Sequence, residues 1–174
     1  MAKTLAIVVV MGVAGCGKTT IGRLLAERLG AGYAEADSFH PHTNIAKMAS
    51  GQPLDDDDRY PWLAAITSWI GARDTAGEGG VVSCSALKYR YRYQLRQASG
   101  RVWFLHLDAE RDLITSRVAG RRGHFMPVSL IDSQFQALEP LRSDEAGTVV
   151  DASAPADDIV ATALTHLKDH HAST

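Results

Sequence analysis

Cysteine is scarce in this sequence, with only Cys16 and Cys84 among 174 residues. The pair has neither metal-ligand spacing nor the density of a disulfide framework. A zinc module and a disulfide scaffold are therefore excluded, and a reducing cytoplasm is the expected location. Long apolar runs are missing too. None approaches the roughly 20 residues that a membrane helix needs, so no membrane partner is expected. Net charge is small: 18 Lys and Arg against 20 Asp and Glu give −2 at pH 7. Such a balance exerts no global pull on nucleic acid. Internal repeats, low-complexity tracts and linkers are absent as well. Residues 1–174 thus read as a single domain, large enough to bury a core.

What is present is concentrated near the amino terminus. Residues 5–29 read LAIVVVMGVAGCGKTTIGRLLAERL. An apolar run meets a glycine-rich loop, and Ile21, Leu24, Leu25 and Leu29 then recur at helical spacing. The loop has the form GxxxxGKT between strand and helix, the context that makes this motif a phosphate-binding loop. Gly12, Val13, Ala14, Gly15, Cys16, Gly17, Lys18, Thr19 and Thr20 form the expected ATP-binding set. Glycines let backbone N–H groups turn inward around an anion, and the following helix adds the positive end of its dipole. Lys18 can reach the β- and γ-phosphates, and the Thr19 hydroxyl can ligate Mg²⁺.

A rival pattern overlaps this one. Lys3, the apolar run and Val13-Ala14-Gly15-Cys16 also look like a lipoprotein signal ending on its lipidation cysteine. The run is short for that purpose, and Gly17-Lys18-Thr19 would have no role in it. Intact mass separates the two. Cys16 itself has two readings: a small residue that fits the loop, or a thiol activated by the helix N-terminus.

The remaining chain alternates strand and helix. Short strands are expected over 33–36, 81–84, 102–107 and 148–151. Helices are expected after Pro41, over 59–73, 88–97, 111–121 and 128–138, and after Pro155. That alternation implies an α/β fold, a parallel sheet with helices on both faces, and a ligand crevice at the strands' carboxyl ends. Nine of the 18 Lys and Arg residues fall between Lys88 and Arg122, which suggests anionic ligands met locally. The run Asp55 to Asp58 reads as a solvated turn rather than a metal site, with Asp58 able to cap the helix from Arg59.

Several stretches resemble the gluconokinases, small kinases that phosphorylate D-gluconate on its 6-hydroxyl. They are MGVAGCGKT at 11–19, AD-FHP at 36–41, NIAKMASGQPLDDDDRYPWL at 44–63, CSALKYRYRYQLR at 84–96, RRGHFMP at 121–127 and SQFQALEP at 133–140. These blocks span nearly the whole chain in order. The resemblance implies a P-loop fold of the nucleoside-monophosphate-kinase type, with a five-stranded parallel sheet and a mobile lid near 117–131. It also implies ATP and Mg²⁺ as cofactors, D-gluconate as substrate and a possible homodimer.

Phosphoryl transfer asks for positioned reactants and neutralised charge. Lys18 and the loop amides serve the donor, and Asp37 is the candidate to accept the sugar hydroxyl's proton. Gluconate is an anion, so Arg59, Lys88 and Arg92 are candidates to hold it. Lys88 and Arg92, four apart, should share a helix face. Arg117 and Arg121 precede the glycine-broken lid segment and are expected at ATP, with Arg121 neutralising the transferred group. His40, His124 and Gln134 complete the expected substrate-binding set. The third strand lacks the terminal Asp by which many phosphate-loop NTPases hold magnesium. A motor-type ATPase is thereby disfavoured. A kinase for shikimate or a nucleoside monophosphate, or a nucleotide-binding regulator without turnover, remain the alternatives.

Overall fold

The computed structural model describes residues 6–120 and 128–174. Five strands carry the fold: β1 (Ile7–Met11), β2 (Gly32–Glu35), β3 (Gly80–Ser83), β4 (Val102–Asp108) and β5 (Gly147–Asp151). They pair in parallel in the order β2-β3-β1-β4-β5. The helices are α1 (Lys18–Leu29), α2 (His42–Ala49), α3 (Asp56–Thr75), α4 (Tyr89–Arg96), α5 (Arg111–Ala119), α6 (Val128–Ala137) and α7 (Ala156–Ala172). A short 3₁₀ turn, Ala36–Phe39, leads out of β2. The expected five-stranded parallel sheet is therefore the observed one.

The sheet is buried on both faces, which is why β1 is apolar at every position. Alternate residues serve opposite cores. Val8 and Val10 join Leu105, Leu107, Leu25, Val160 and Leu167 on one face. Ile7, Val9 and Met11 join Phe104, Trp62, Ile66, Ile70 and Leu95 on the other. Because β1 is central, with β3 and β4 on either side, the chain leaves it at a switch point where a crevice opens.

Two local expectations change. The second strand ends at Glu35, so Asp37 lies in the 3₁₀ turn beyond it. The acidic run is not a turn but the start of α3. Asp55 is the N-cap, accepting from Asp58 N at 2.8 Å, while Asp58 Oδ2 accepts from Asp55 N at 2.9 Å. This reciprocal box satisfies two helix-end donors. The carboxylates of Asp56, Asp57 and Asp58 also complement the helix dipole.

Candidate active site

The phosphate loop is shaped by its glycines. Gly12 has φ +144°, and a Cβ there would meet Cys16 Sγ at 2.7 Å and the Leu107 carbonyl oxygen at 2.8 Å. Close packing and backbone conformation both demand glycine at that position. Cys16 is 1% exposed and fills the space beside Gly12, which fits the small-residue reading rather than the reactive thiol. Helix α1 opens at Gly17 with no side-chain cap and no acid in its first turn. Its N-terminal amides and dipole are thus left for an anion.

Lys18 Nζ lies back across the loop, donating to the carbonyls of Gly12 at 3.1 Å and Val13 at 3.0 Å. The Thr19 hydroxyl donates to Glu35 Oε2 at 2.6 Å. Tyr33 OH stands 2.7 Å from the same carboxylate oxygen and 3.0 Å from Ser83 Oγ. Burial pushes the Tyr33 phenol up to about 12, so it stays protonated. Ser83 is the last residue of β3, the strand that lacks a terminal Asp, and its hydroxyl donates to the Lys18 carbonyl at 2.7 Å. Glu35 was not singled out from sequence. The available signal was an acidic residue two positions before Asp37 at the carboxyl end of a strand. A threonine hydroxyl beside a carboxylate is a hard oxygen set that suits Mg²⁺. Among the described residues no group of three or more His, Cys, Asp or Glu forms a metal cage.

A cavity of about 230 Å³ adjoins the loop, lined among others by Gly15, Cys16, Thr20, Arg117, Ala152 and Ala154. Arg117 bridges its walls, donating to the Cys16 carbonyl at 3.2 Å and the Ala152 carbonyl at 2.9 Å. Arg117 and the loop are therefore brought together, although 101 residues separate Arg117 from Cys16.

On the opposite side of the crevice, the 3₁₀ turn presents Asp37, which is exposed. Its carboxylate has no hydrogen-bond or ion-pair partner among the described residues. Asp37, Glu35 and Lys18 all act electrostatically on the Cys84 thiol, which burial pushes up to about 12. Arg59 donates to the Leu54 carbonyl and stands 5.5 Å from the Tyr91 ring centroid. Lys88 Nζ lies 5.7 Å from the same centroid and 3.4 Å from Asp56 Oδ1. Arg90 and Tyr91 OH also engage Asp56. The result is a half-buried cationic patch around one aromatic ring, tethered by one carboxylate.

Arg92 does not belong to that patch. Lys88 is the extended N-cap of α4 rather than a helical residue, and Arg92 faces the core with Tyr91 and Leu95. Its side chain is 0% exposed. Nε donates to Glu145 Oε2 at 2.6 Å and Nη2 to Glu145 Oε1 at 3.0 Å. The remaining N–H groups reach the carbonyls of Ala86, Leu87 and Pro140. With its fork filled by Glu145, Arg92 has no donor left for a substrate carboxylate. Gln134 meets the phosphate loop: its Oε1 accepts from Ala14 N at 2.6 Å, tying α6 to that loop. Arg121 and His124 fall outside the described residues.

Residues 14–168 match the family model for shikimate kinase, which establishes the broad kinase family. The gluconokinase of Gluconobacter oxydans (strain 621H) is 48% identical over 79% of this chain and 77% of its own. The thermoresistant gluconokinase of Escherichia coli (strain K12) is 39% identical over 93% of each chain. The chain belongs to the gluconokinase family. A crystal structure of a gluconokinase from Sinorhizobium meliloti 1021 superposes with a TM-score of 0.87 at 42% identity, over 96% of this chain and 94% of that one. The similarity to that gluconokinase structure thus covers nearly the whole chain. No helix among the described residues is long and apolar enough to cross a membrane.

Proposed function

We infer that this chain transfers the γ-phosphoryl group of ATP to the 6-hydroxyl of D-gluconate, giving ADP and 6-phospho-D-gluconate. The observation that carries the reading is the gluconokinase relationship at 39–48% identity over most of the chain. The site's geometry supports it, with an anion-binding loop on one side and a cationic patch on the other.

In the proposed reaction the 6-oxygen forms a bond to the γ-phosphorus, and the bond from that phosphorus to the β–γ bridging oxygen breaks. Asp37 takes the hydroxyl proton, and the electron pair leaves with ADP. Lys18 and the amides of residues 12–20 hold the phosphates. Arg117 closes the nucleoside end from the cavity wall. Arg121 is assigned to neutralising the transferred group from the lid segment 117–131, and His124 to contacting substrate there. Thr19 and Glu35 would hold Mg²⁺, which when bound neutralises phosphate charge. Gln134 orders the loop through Ala14. Closure over the site excludes water, so gluconate is the acceptor. Buried free thiols at Cys16 and Cys84 suit a reducing compartment, and a cytoplasmic location belongs to the same proposal.

Incubation with ATP, Mg²⁺ and a panel of gluconate, shikimate and nucleoside monophosphates, read by ADP release, tests the assignment. Turnover with gluconate alone is expected. Turnover with shikimate or a nucleoside monophosphate in its place would remove the substrate assignment, and binding of ATP with no turnover would favour a regulator.

Arg59 and Lys88 are assigned to the gluconate carboxylate. Removing a hydrogen bond to a charged group at Arg59→Ala should raise the gluconate KM about 10- to 100-fold and leave the ATP KM unchanged. Steady-state kinetics with each substrate varied in turn measure both. Equal increases in the two constants would argue against a carboxylate clamp.

A further inference from the structure

His40 closes the short turn that carries the proposed base Asp37. Its backbone N–H donates to the Asp37 carbonyl at 3.2 Å, and Arg59 is near enough to act on its ring electrostatically. The ring lies flat on Trp62, with centroids 4.4 Å apart and planes 10° from parallel. Trp62 is in turn fixed by its own Nε1, which donates to the Ala36 carbonyl at 2.7 Å. The imidazole plane is thus set by a buried indole that also pins the turn presenting Asp37.

The tautomer can be deduced from the next contact. Asn44 is 4% exposed, and its Nδ2 lies 2.7 Å from the Asp58 carbonyl oxygen. A carbonyl only accepts, so the NH₂ side of the Asn44 amide must face it. The same Nδ2 lies 3.2 Å from His40 Nδ1. A nitrogen that faces an NH₂ donor must be an acceptor, so Nδ1 carries no proton and the neutral ring carries it on Nε2. No described residue bonds Nε2, and it is not among the enclosed atoms without a partner. Burial, with Arg59 second, lowers the ring's pKa to about 4, so the imidazole is neutral at pH 7.

We propose that His40 is a fixed-tautomer donor whose Nε2–H reads one hydroxyl oxygen of the acceptor sugar acid beside Asp37. A neutral donor suits an uncharged oxygen, while the adjacent Arg59 supplies the charge for the carboxylate. Trp62 and Asn44 are positioning residues for this donor. The inference rests on the gluconate reading above and adds which kind of atom His40 recognises.

Two measurements test it. Nitrogen NMR of ¹⁵N-histidine-labelled protein at pH 7, assigned by comparison with His40→Gln, should show Nδ1 unprotonated and Nε2 protonated. In kinetics, His40→Leu should raise the gluconate KM about 10-fold with the ATP KM unchanged, as for loss of one hydrogen bond. His40→Gln, whose amide nitrogen reaches the Nε2 position, should restore most of the loss. Against one monodeoxygluconate, wild type and His40→Leu should have equal kcat/KM, because the partner hydroxyl is already gone. A protonated Nδ1 overturns the inference whether or not gluconate is phosphorylated. So does an equal His40→Leu penalty on gluconate and every deoxy analogue. Absence of any gluconate turnover by wild type is a separate result and overturns the substrate reading beneath it.

Discussion

Asp37→Asn is expected to lower kcat with gluconate by at least ~10²-fold, the usual worth of general-base help, with ATP affinity unchanged. The two acids at the end of β2 are not equivalent. The Glu35 carboxylate is engaged by the Thr19 hydroxyl and faced by Tyr33 OH. Asp37 is exposed at the crevice with no partner among the described residues, so its oxygens are free to meet an incoming hydroxyl. Asparagine keeps the shape and loses the basicity. Turnover measured at saturating substrates, beside ATP titration of the same variant, separates proton acceptance from binding. A kcat near that of wild type would remove Asp37 as base. Glu35→Gln should instead raise the Mg²⁺ concentration needed for half-maximal rate, since it changes the oxygen beside Thr19.

Arg92→Met has the second large effect, and it falls on stability. Removing one partner of a buried ion pair leaves the other charge uncompensated, at about 3–5 kcal/mol. For a domain of this size that lowers Tm by roughly 6–20 °C. Arg92 and Glu145 are both 0% exposed at the side chain, so solvent cannot replace the missing partner. The loss is aggravated locally. Ala86 is held at φ +43°, an unusual conformation for a residue with a side chain, and Arg92 Nη1 clamps its carbonyl at 2.9 Å. The same side chain ties that loop to Pro140, beyond α6. The double variant Arg92→Met with Glu145→Gln should recover part of the loss, because no net charge remains buried. Calorimetric melting curves of the single and double variants give the comparison. An unchanged Tm together with a raised gluconate KM would return Arg92 to the acceptor site.

These two residues show where sequence and tertiary structure divide the work. The phosphate loop is legible because it is contiguous: the eight residues from Gly12 to Thr19, running from the end of β1 into the first turn of α1, contain both the motif and the backbone freedom it needs. The sheet is legible for a similar reason, since apolar runs alternating with helical periods leave few arrangements other than a parallel layer between helices. The substrate's name came from longer blocks of resemblance, not from any periodicity. Helix limits were less secure where a cap overrode composition, as when the Asp55–Asp58 box drew the start of α3 back into an acidic run.

The chain by itself determined the phosphate-loop motif and what kind of sheet presents it, because both depend on neighbours in sequence. Only the folded molecule distinguished cations by their surroundings. Lys88, Arg90 and Arg92 are near neighbours in the chain, yet the first two flank an exposed carboxylate at the crevice and the third is locked to Glu145 in the core. The same holds for Glu35 beside Thr19, Gln134 against Ala14 and His40 Nδ1 beside the Asn44 amide. Each depends on a partner supplied by another element, and the physical content of a charged or hydrogen-bonding group lies in what its distant neighbours leave it free to do.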